Sequence, residues 1–218
     1  MYLQRKLKNN NNFFKKITDL DFSLLFCILL LGFISLATMY STDGGEALFH
    51  TKSHFYKLIV FTFLMLLVSF LNIKFWFSVG YLSYLITVVM LIYTINFGIT
   101  ASGSQRWMDL YFINIQPSEL MKIAIILCLA KYFHRMRLEN VNSFYSIIIS
   151  LIIIFVPMSL VIIQPDLGTS ILISISGIIV LWFVGLNHKY FFYSFLISIV
   201  SFPFIISFLK PYQKLRIL

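Results

Sequence analysis

The sequence predicts an all-α fold: a polytopic membrane helix bundle of about seven transmembrane helices. Three observations predict it. Hydrophobic residues make up 60% of the 218 residues and charged residues 11%, against roughly 45–50% and about 25% in an average soluble domain. That little charge cannot coat so apolar a surface, which excludes a soluble globular fold; mean hydropathy is +0.90. Apolar runs of about 16–23 residues recur along the chain, close to the ~20 residues that cross a ~30 Å hydrocarbon layer. Period-2 alternation is absent, and since only helices or closed barrels satisfy the backbone in lipid, helices are expected.

In chain order, residues 1–21 are polar, with Arg5, Lys6, Lys8, Lys15, Lys16 and the run Asn9–Asn12. Such a segment cannot bury apolar area and reads as a cytoplasmic tail. The first apolar run, Phe22–Tyr40, is uncharged, too long for a signal-peptide core, and followed by no clear small-residue cleavage site. Spans two to seven are Leu58–Ile73 (starting as early as Phe55), Phe75–Phe97, Ile113–Phe133, Phe144–Ile163, Leu167–Leu186 and Tyr190–Leu209. The bundle therefore covers 22–209, and 210–218 begin an outer loop. Pro157 and Pro203 are expected to kink spans five and seven. Cys27 and Cys128 both lie inside apolar runs and give neither a disulfide framework nor a metal-ligand spacing.

The net charge of +9 reads as membrane orientation rather than as a nucleic-acid surface, because cations gather in cytoplasmic loops. With the N-terminus inside, the inner segments hold ten Lys and Arg and the outer segments six, three of those six near the C-terminal end. The loop between spans three and four and the turn between spans five and six then face outward.

Those two outer segments carry the candidate chemistry. The first contains Arg106 and Trp107, then Gln116-Pro117-Ser118-Glu119 and Lys122. Trp107 also suits a plain anchor at the membrane boundary. Glu119 and Lys122, three apart, share a helix face. An ionisable residue inside a span is costly and points to function, although a structural ion pair accounts for them too. Pro117 suits the first turn of a helix, which puts Glu119 at the positive end of the dipole. The second segment, Gln164-Pro165-Asp166-Leu167-Gly168-Thr169, repeats the Gln-Pro turn with an acid after it; simple helix capping also explains Asp166. Two helix N-termini with Lys122 make a pocket leaning positive, suited to a phosphate, with Glu119 and Asp166 both expected to hold Lys122. His50 and His54, near Asp43 and Glu46, read as solvated loop residues rather than as a metal site. His134 and His188 read as interfacial. No GxxxxGK[ST] or HExxH occurs, so an ATPase or a zincin has no support.

The three blocks Gly103-x-Gln105-Arg106-Trp107-x-Asp109-Leu110, Gln116-Pro117-Ser118-Glu119-x-x-Lys122 and Gln164-Pro165-Asp166-Leu167-Gly168-Thr169-Ser170 resemble, in order and spacing, the RodA/FtsW/SpoVE family of bacterial elongation, division and sporulation proteins. Pro211-Tyr212-Gln213 with Arg216 resembles the start of that family's large outer loop. Gln105, Asp109 and Lys122-Ile123-Ala124 look more like RodA, whereas Tyr111 departs from the usual Gly. The resemblance implies a ten-span glycosyltransferase of the cytoplasmic (inner) membrane that polymerises lipid II, the undecaprenyl-pyrophosphate-linked precursor, beside a class B penicillin-binding protein. It places Arg106, Trp107, Gln116, Glu119, Lys122, Gln164 and Asp166 around the substrate cavity. No cofactor is evident; a divalent cation is compatible but not indicated. The family's catalytic Asp lies in the outer loop after span seven, beyond Leu218, so the chain is expected to be a fragment, the first half of a split gene or a remnant, and inactive alone. A flippase for the lipid-linked precursor and an inert scaffold are the alternatives.

The orientation has a direct check. A reporter active only in the cytoplasm should work when fused after Met136 and fail after Gly103 and after Lys214; the opposite pattern overturns the shared outer cavity.

Overall fold

The computed structural model describes residues 20–46, 48–101, 104–109, 114–194 and 196–197. The tail 1–19, Tyr111, Pro203, most of the seventh expected span and the segment 210–218 lie outside the described residues. The chain divides into two compact units, residues 1–73 and 74–218.

The first unit is a helical hairpin of α1 (Phe22–Thr42) and α2 (Phe49–Ser69). Asp21 starts α1 by accepting hydrogen bonds from the amides of Ser23 and Leu24 at 3.0 and 3.1 Å, which satisfies donors that the first turn leaves unpaired. α2 begins at Phe49, well before the Leu58 or Phe55 that apolarity alone suggested, because the connecting turn caps it. Asp43 Oδ2 accepts from both the amide and the hydroxyl of Thr51, at 2.9 and 2.6 Å. These bonds, the hydroxyl's first, hold the Asp43 carboxyl below its ordinary range. His54 is thereby a helical residue, its Nε2 2.8 Å from Ser35 Oγ of α1, and His50 sits in the first turn of α2. Both are therefore helical and not loop residues as the sequence suggested, with His50 exposed and His54 half-buried.

The second unit contains α3 (Ile73–Phe97), three short strands, α4 (Pro117–His134), the single turn α5 (Leu138–Val141), α6 (Phe144–Ile163) and α7 (Leu167–Val184). α7 ends at Gly185, whose φ of +90° favours glycine, and a further helical segment starts at 188. α4 packs against α6 and α7, and α6 against α7. Their buried core includes Leu91, Met121, Ile125, Leu129, Ile154, Val161, Ile173 and Leu181. Small residues let the helices close up: a Cβ on Gly80 of α3 would lie 2.9 Å from the backbone oxygen of Leu127 in α4.

Five helices among the described residues (α1, α2, α3, α6 and α7) are long and apolar enough to cross a membrane. α4 has the length, 18 residues, but carries Glu119, Lys122 and Lys131. Lys131 is accommodated locally. Its Nζ donates to Ser78 O at 2.7 Å and lies 4.7 Å from the centre of the Tyr81 ring, a cation–π distance.

The strands correct the sequence reading, which had only a loop there. β1 (Ile99–Ala101), β2 (Ser104–Asp109) and β3 (Asn114–Ile115) form an antiparallel meander in the order β1-β2-β3. Ile99 faces Trp107 in register, and Asp109 faces Asn114.

Pro157 lies inside α6, which continues through it to Ile163. Proline has no N–H, so the carbonyl of residue i−4, Ile153, loses its helical partner. Tyr84 of α3 replaces it, its hydroxyl donating to Ile153 O at 3.0 Å. Tyr84→Phe should therefore destabilise the protein by about 0.6–2 kcal/mol in detergent unfolding. The same substitution should cost much less beside Pro157→Ala, which restores an amide for Ile153 O. Equal costs in the two backgrounds would show that Tyr84 does not compensate for the proline.

Candidate functional site: two helix starts joined by one carboxylate

α4 and α7 each begin at a Gln-Pro turn. Pro117 is the first helical residue of α4, where its missing N–H would be unpaired in any case. Gln116 precedes it, and its Nε2 donates to Asp166 Oδ2 at 3.3 Å instead of serving its own helix. Asp166 is the N-cap of α7: its Oδ1 accepts from the Thr169 amide at 3.3 Å. The other oxygen, Oδ2, also accepts from Arg106 Nη1 at 3.0 Å. One carboxylate thus caps a helix, binds the starting turn of a second and neutralises a guanidinium. Capping and ion pairing were alternatives for Asp166 in the sequence; the structure shows both at once.

The meander delivers Arg106. β2 carries it, β3 runs directly into Gln116, and Gln105 Nε2 donates to Gly98 O at 2.8 Å, tying the hairpin to the end of α3. Gln164 closes α6 and donates from Nε2 to Leu91 O at 3.0 Å and to Thr94 Oγ1 at 2.9 Å, which pins the second Gln-Pro turn to α3.

The second ion pair lies one turn into α4. Lys122 Nζ is 2.8 Å from Glu119 Oε2, the contact that i,i+3 spacing allows. The expectation that both acids hold Lys122 is corrected: Glu119 pairs with it, and Asp166 is committed to Arg106 and Gln116. The environments differ as well. The Glu119 side chain is 53% exposed and that of Asp166 8%. Trp107 is half-buried in β2, and among the described residues its ring joins neither pair.

Three buried polar atoms, Arg106 Nε, Ser118 Oγ and Gln164 Oε1, have no partner among the described residues. Each costs about 1–3 kcal/mol unless a partner is supplied, so the twin helix start holds hydrogen-bonding capacity in reserve. Two helix N-termini add positive potential to four side chains whose formal charges cancel. The arrangement suits an oxyanion that displaces or shares Glu119 at Lys122. Among the described residues, no group of three His, Cys, Asp or Glu is placed to hold a metal ion.

Burial should separate the two pairs energetically. Double-mutant cycles in detergent unfolding, pairing Arg106→Met with Asp166→Asn and Glu119→Gln with Lys122→Met, should give a coupling of about 1.5–3 kcal/mol for the first. The second should give no more than about 0.5 kcal/mol. Equal couplings would remove the distinction between a fixed pair and an accessible one.

The FtsW/RodA/SpoVE family model, described as "Cell cycle protein", matches residues 18–218. The peptidoglycan glycosyltransferase MrdB of Escherichia coli (strain K12) is 36% identical over 140 residues, covering 62% of this chain and 36% of that protein. A probable peptidoglycan glycosyltransferase FtsW of Buchnera aphidicola subsp. Baizongia pistaciae is 30% identical over 205 residues, 91% of this chain and 54% of that one. The chain thus spans about half or less of the length of these relatives. A chain from a peptidoglycan synthase complex that coordinates polymerization and crosslinking superposes with a TM-score of 0.74 at 22% identity, over 91% of this chain and 58% of that one. The rod shape determining protein RodA of Thermus thermophilus gives 0.71 at 20% identity, over 84% and 60%. These likenesses establish the polytopic fold, and the apolar helices make this a multi-pass bacterial membrane protein. The chain belongs to the FtsW/RodA/SpoVE family.

Proposed function

We propose that this chain provides the substrate-binding half of a RodA-type peptidoglycan glycosyltransferase, and that the twin helix start receives the pyrophosphate of lipid II on the outer side of the inner membrane. The observation that carries the reading is the accessible Glu119–Lys122 pair in the helix whose starting Gln116 is bonded to the acid that fixes Arg106. In the transfer, a sugar hydroxyl displaces undecaprenyl pyrophosphate, and charge grows on the leaving phosphate. Fixed cations and helix N-termini stabilise such charge without reorganising. Arg106 and Lys122 have that role. Neither Glu119 nor Asp166 serves as the base, because each is bonded to a cation.

A role in elongation rather than division is supported by Gln105, Asp109 and Lys122-Ile123-Ala124, which look more like RodA. A cytoplasmic N-terminus is supported by the Lys and Arg distribution. A class B penicillin-binding protein is the partner that crosslinks the strands, in keeping with the likeness to a chain of a polymerization-and-crosslinking complex.

Two measurements test the reading. The purified chain should bind labelled lipid II in detergent, and Lys122→Ala should weaken binding tenfold or more, as expected for a charged hydrogen bond of about 1.5–3 kcal/mol. Polymer formation from labelled lipid II in the presence of a class B penicillin-binding protein should fall with Lys122→Ala in step with binding. Unchanged binding by Lys122→Ala would overturn the site, and lipid movement without polymer would make the protein a flippase.

A further inference from the structure

The α1–α2 hairpin holds a groove of about 510 Å³, within the range of small-molecule pockets. Phe33, Leu36 and Tyr40 of α1 form one wall and Lys52, Phe55 and Tyr56 of α2 the other. Phe33, Leu36 and Tyr40 follow i, i+3, i+7 spacing and make one stripe. Lys52 stands in the first turn of α2, where the helix dipole adds to its charge instead of offsetting it. Among the described residues, no carboxylate lies within ion-pair distance of it. Asp43, at the same end of the hairpin, has its Oδ2 taken by Thr51.

We propose that this groove is a binding site for an anionic phospholipid, with an acyl chain against the aromatic wall and the headgroup phosphate on Lys52. The chemistry at each end of the groove selects that occupant. Its body is apolar and belongs to two helices long enough to span a membrane, so a hydrocarbon chain loses nothing by entering. Its mouth lies at the loop end of the hairpin, where headgroups sit, and there it presents the Lys52 ammonium, which makes no ion pair among the described residues. Tyr40, near the loop end of α1, and Tyr56 are both exposed, and tyrosine is enriched at membrane boundaries. A zwitterionic lipid would bring its own cation towards Lys52; an anionic one brings only the phosphate charge that Lys52 is missing. The site is independent of the function proposed for the twin helix start.

The test uses the purified 218-residue chain in a mild detergent, with phosphatidylglycerol or phosphatidylcholine of matched acyl chains and native mass spectrometry as the readout. Phosphatidylglycerol should be retained in preference. Lys52→Gln should reduce that preference about fivefold, the equivalent of about 1 kcal/mol per basic residue at a membrane surface. Lys52→Arg should keep it, and Lys57→Ala, outside the groove, should leave it unchanged. Leu36→Trp, which fills the groove, should reduce retention of both lipids. Equal retention of the two lipids, an unaltered preference in Lys52→Gln, or a loss in Lys57→Ala as large as in Lys52→Gln would overturn the proposal. So would displacement of phosphatidylglycerol by equimolar undecaprenyl phosphate, which would make the occupant a polyprenyl lipid.

Discussion

The carboxylate of Asp166 organises one end of the second unit. A bilayer interior offers no water to a buried donor or acceptor, so each polar group there needs a protein partner or becomes a liability. Asp166 meets that demand for three elements together: the exposed amide of Thr169 at the start of α7, the amide group of Gln116 at the start of α4, and the guanidinium of Arg106 on β2. Because both helix starts meet at one acid, α4 and α7 begin side by side. The meander is held down by the same contact, since it enters α4 through Gln116 and reaches Asp166 through Arg106.

The same constraint accounts for the polar contacts deeper in the unit. Tyr84 serves the carbonyl that Pro157 leaves unpaired, Gln164 serves Leu91 O and Thr94, and Lys131 finds Ser78 O and an aromatic ring. Each joins helices that apolar packing alone would leave free to slide, since lipid tails are as apolar as leucine. α3 is the common partner, accepting through Ser78, Leu91 and Thr94 and donating through Tyr84. The exposed pair, Glu119 and Lys122, has no such bracing role, which leaves it available for a ligand.

The helices were legible because hydrocarbon thickness dictates their length and composition, and most boundaries of Phe22–Thr42, Ile73–Phe97, Phe144–Ile163 and Leu167–Val184 lie within about two residues of the apolar runs. α2 was misjudged at its start because Lys52, His54 and Lys57 break the apolar run, while the cap from Asp43 that makes those residues helical comes from outside the helix. The strands were missed because a meander this short has too few residues to show alternation. A Ser-Gly pair at 102–103 between them is the one turn signal present. Glu119 with Lys122 follows from spacing alone. Arg106 with Asp166 does not, because the two are 60 residues apart and nothing local distinguishes Lys122 from Arg106 as the cation for Asp166. Thr94 went unnoticed as a single polar residue between Tyr93 and Ile95.

That separation also sets an order of events at the ribosome. α4, with Glu119, Lys122 and Lys131, is poorly suited to enter the bilayer unaided, since a charge at mid-span costs about 2.5–3.5 kcal/mol on insertion scales. One of its charges is provided for on arrival, because Ser78 and Tyr81 have already been made when Lys131 emerges. Arg106 and Gln116 must wait for Asp166, which at about 5–20 residues per second follows Arg106 by roughly 3–12 s. Until then the start of α4 has no carboxylate to settle against. The contact that joins the starts of α4 and α7 is therefore completed only after α5 and α6 have been laid down.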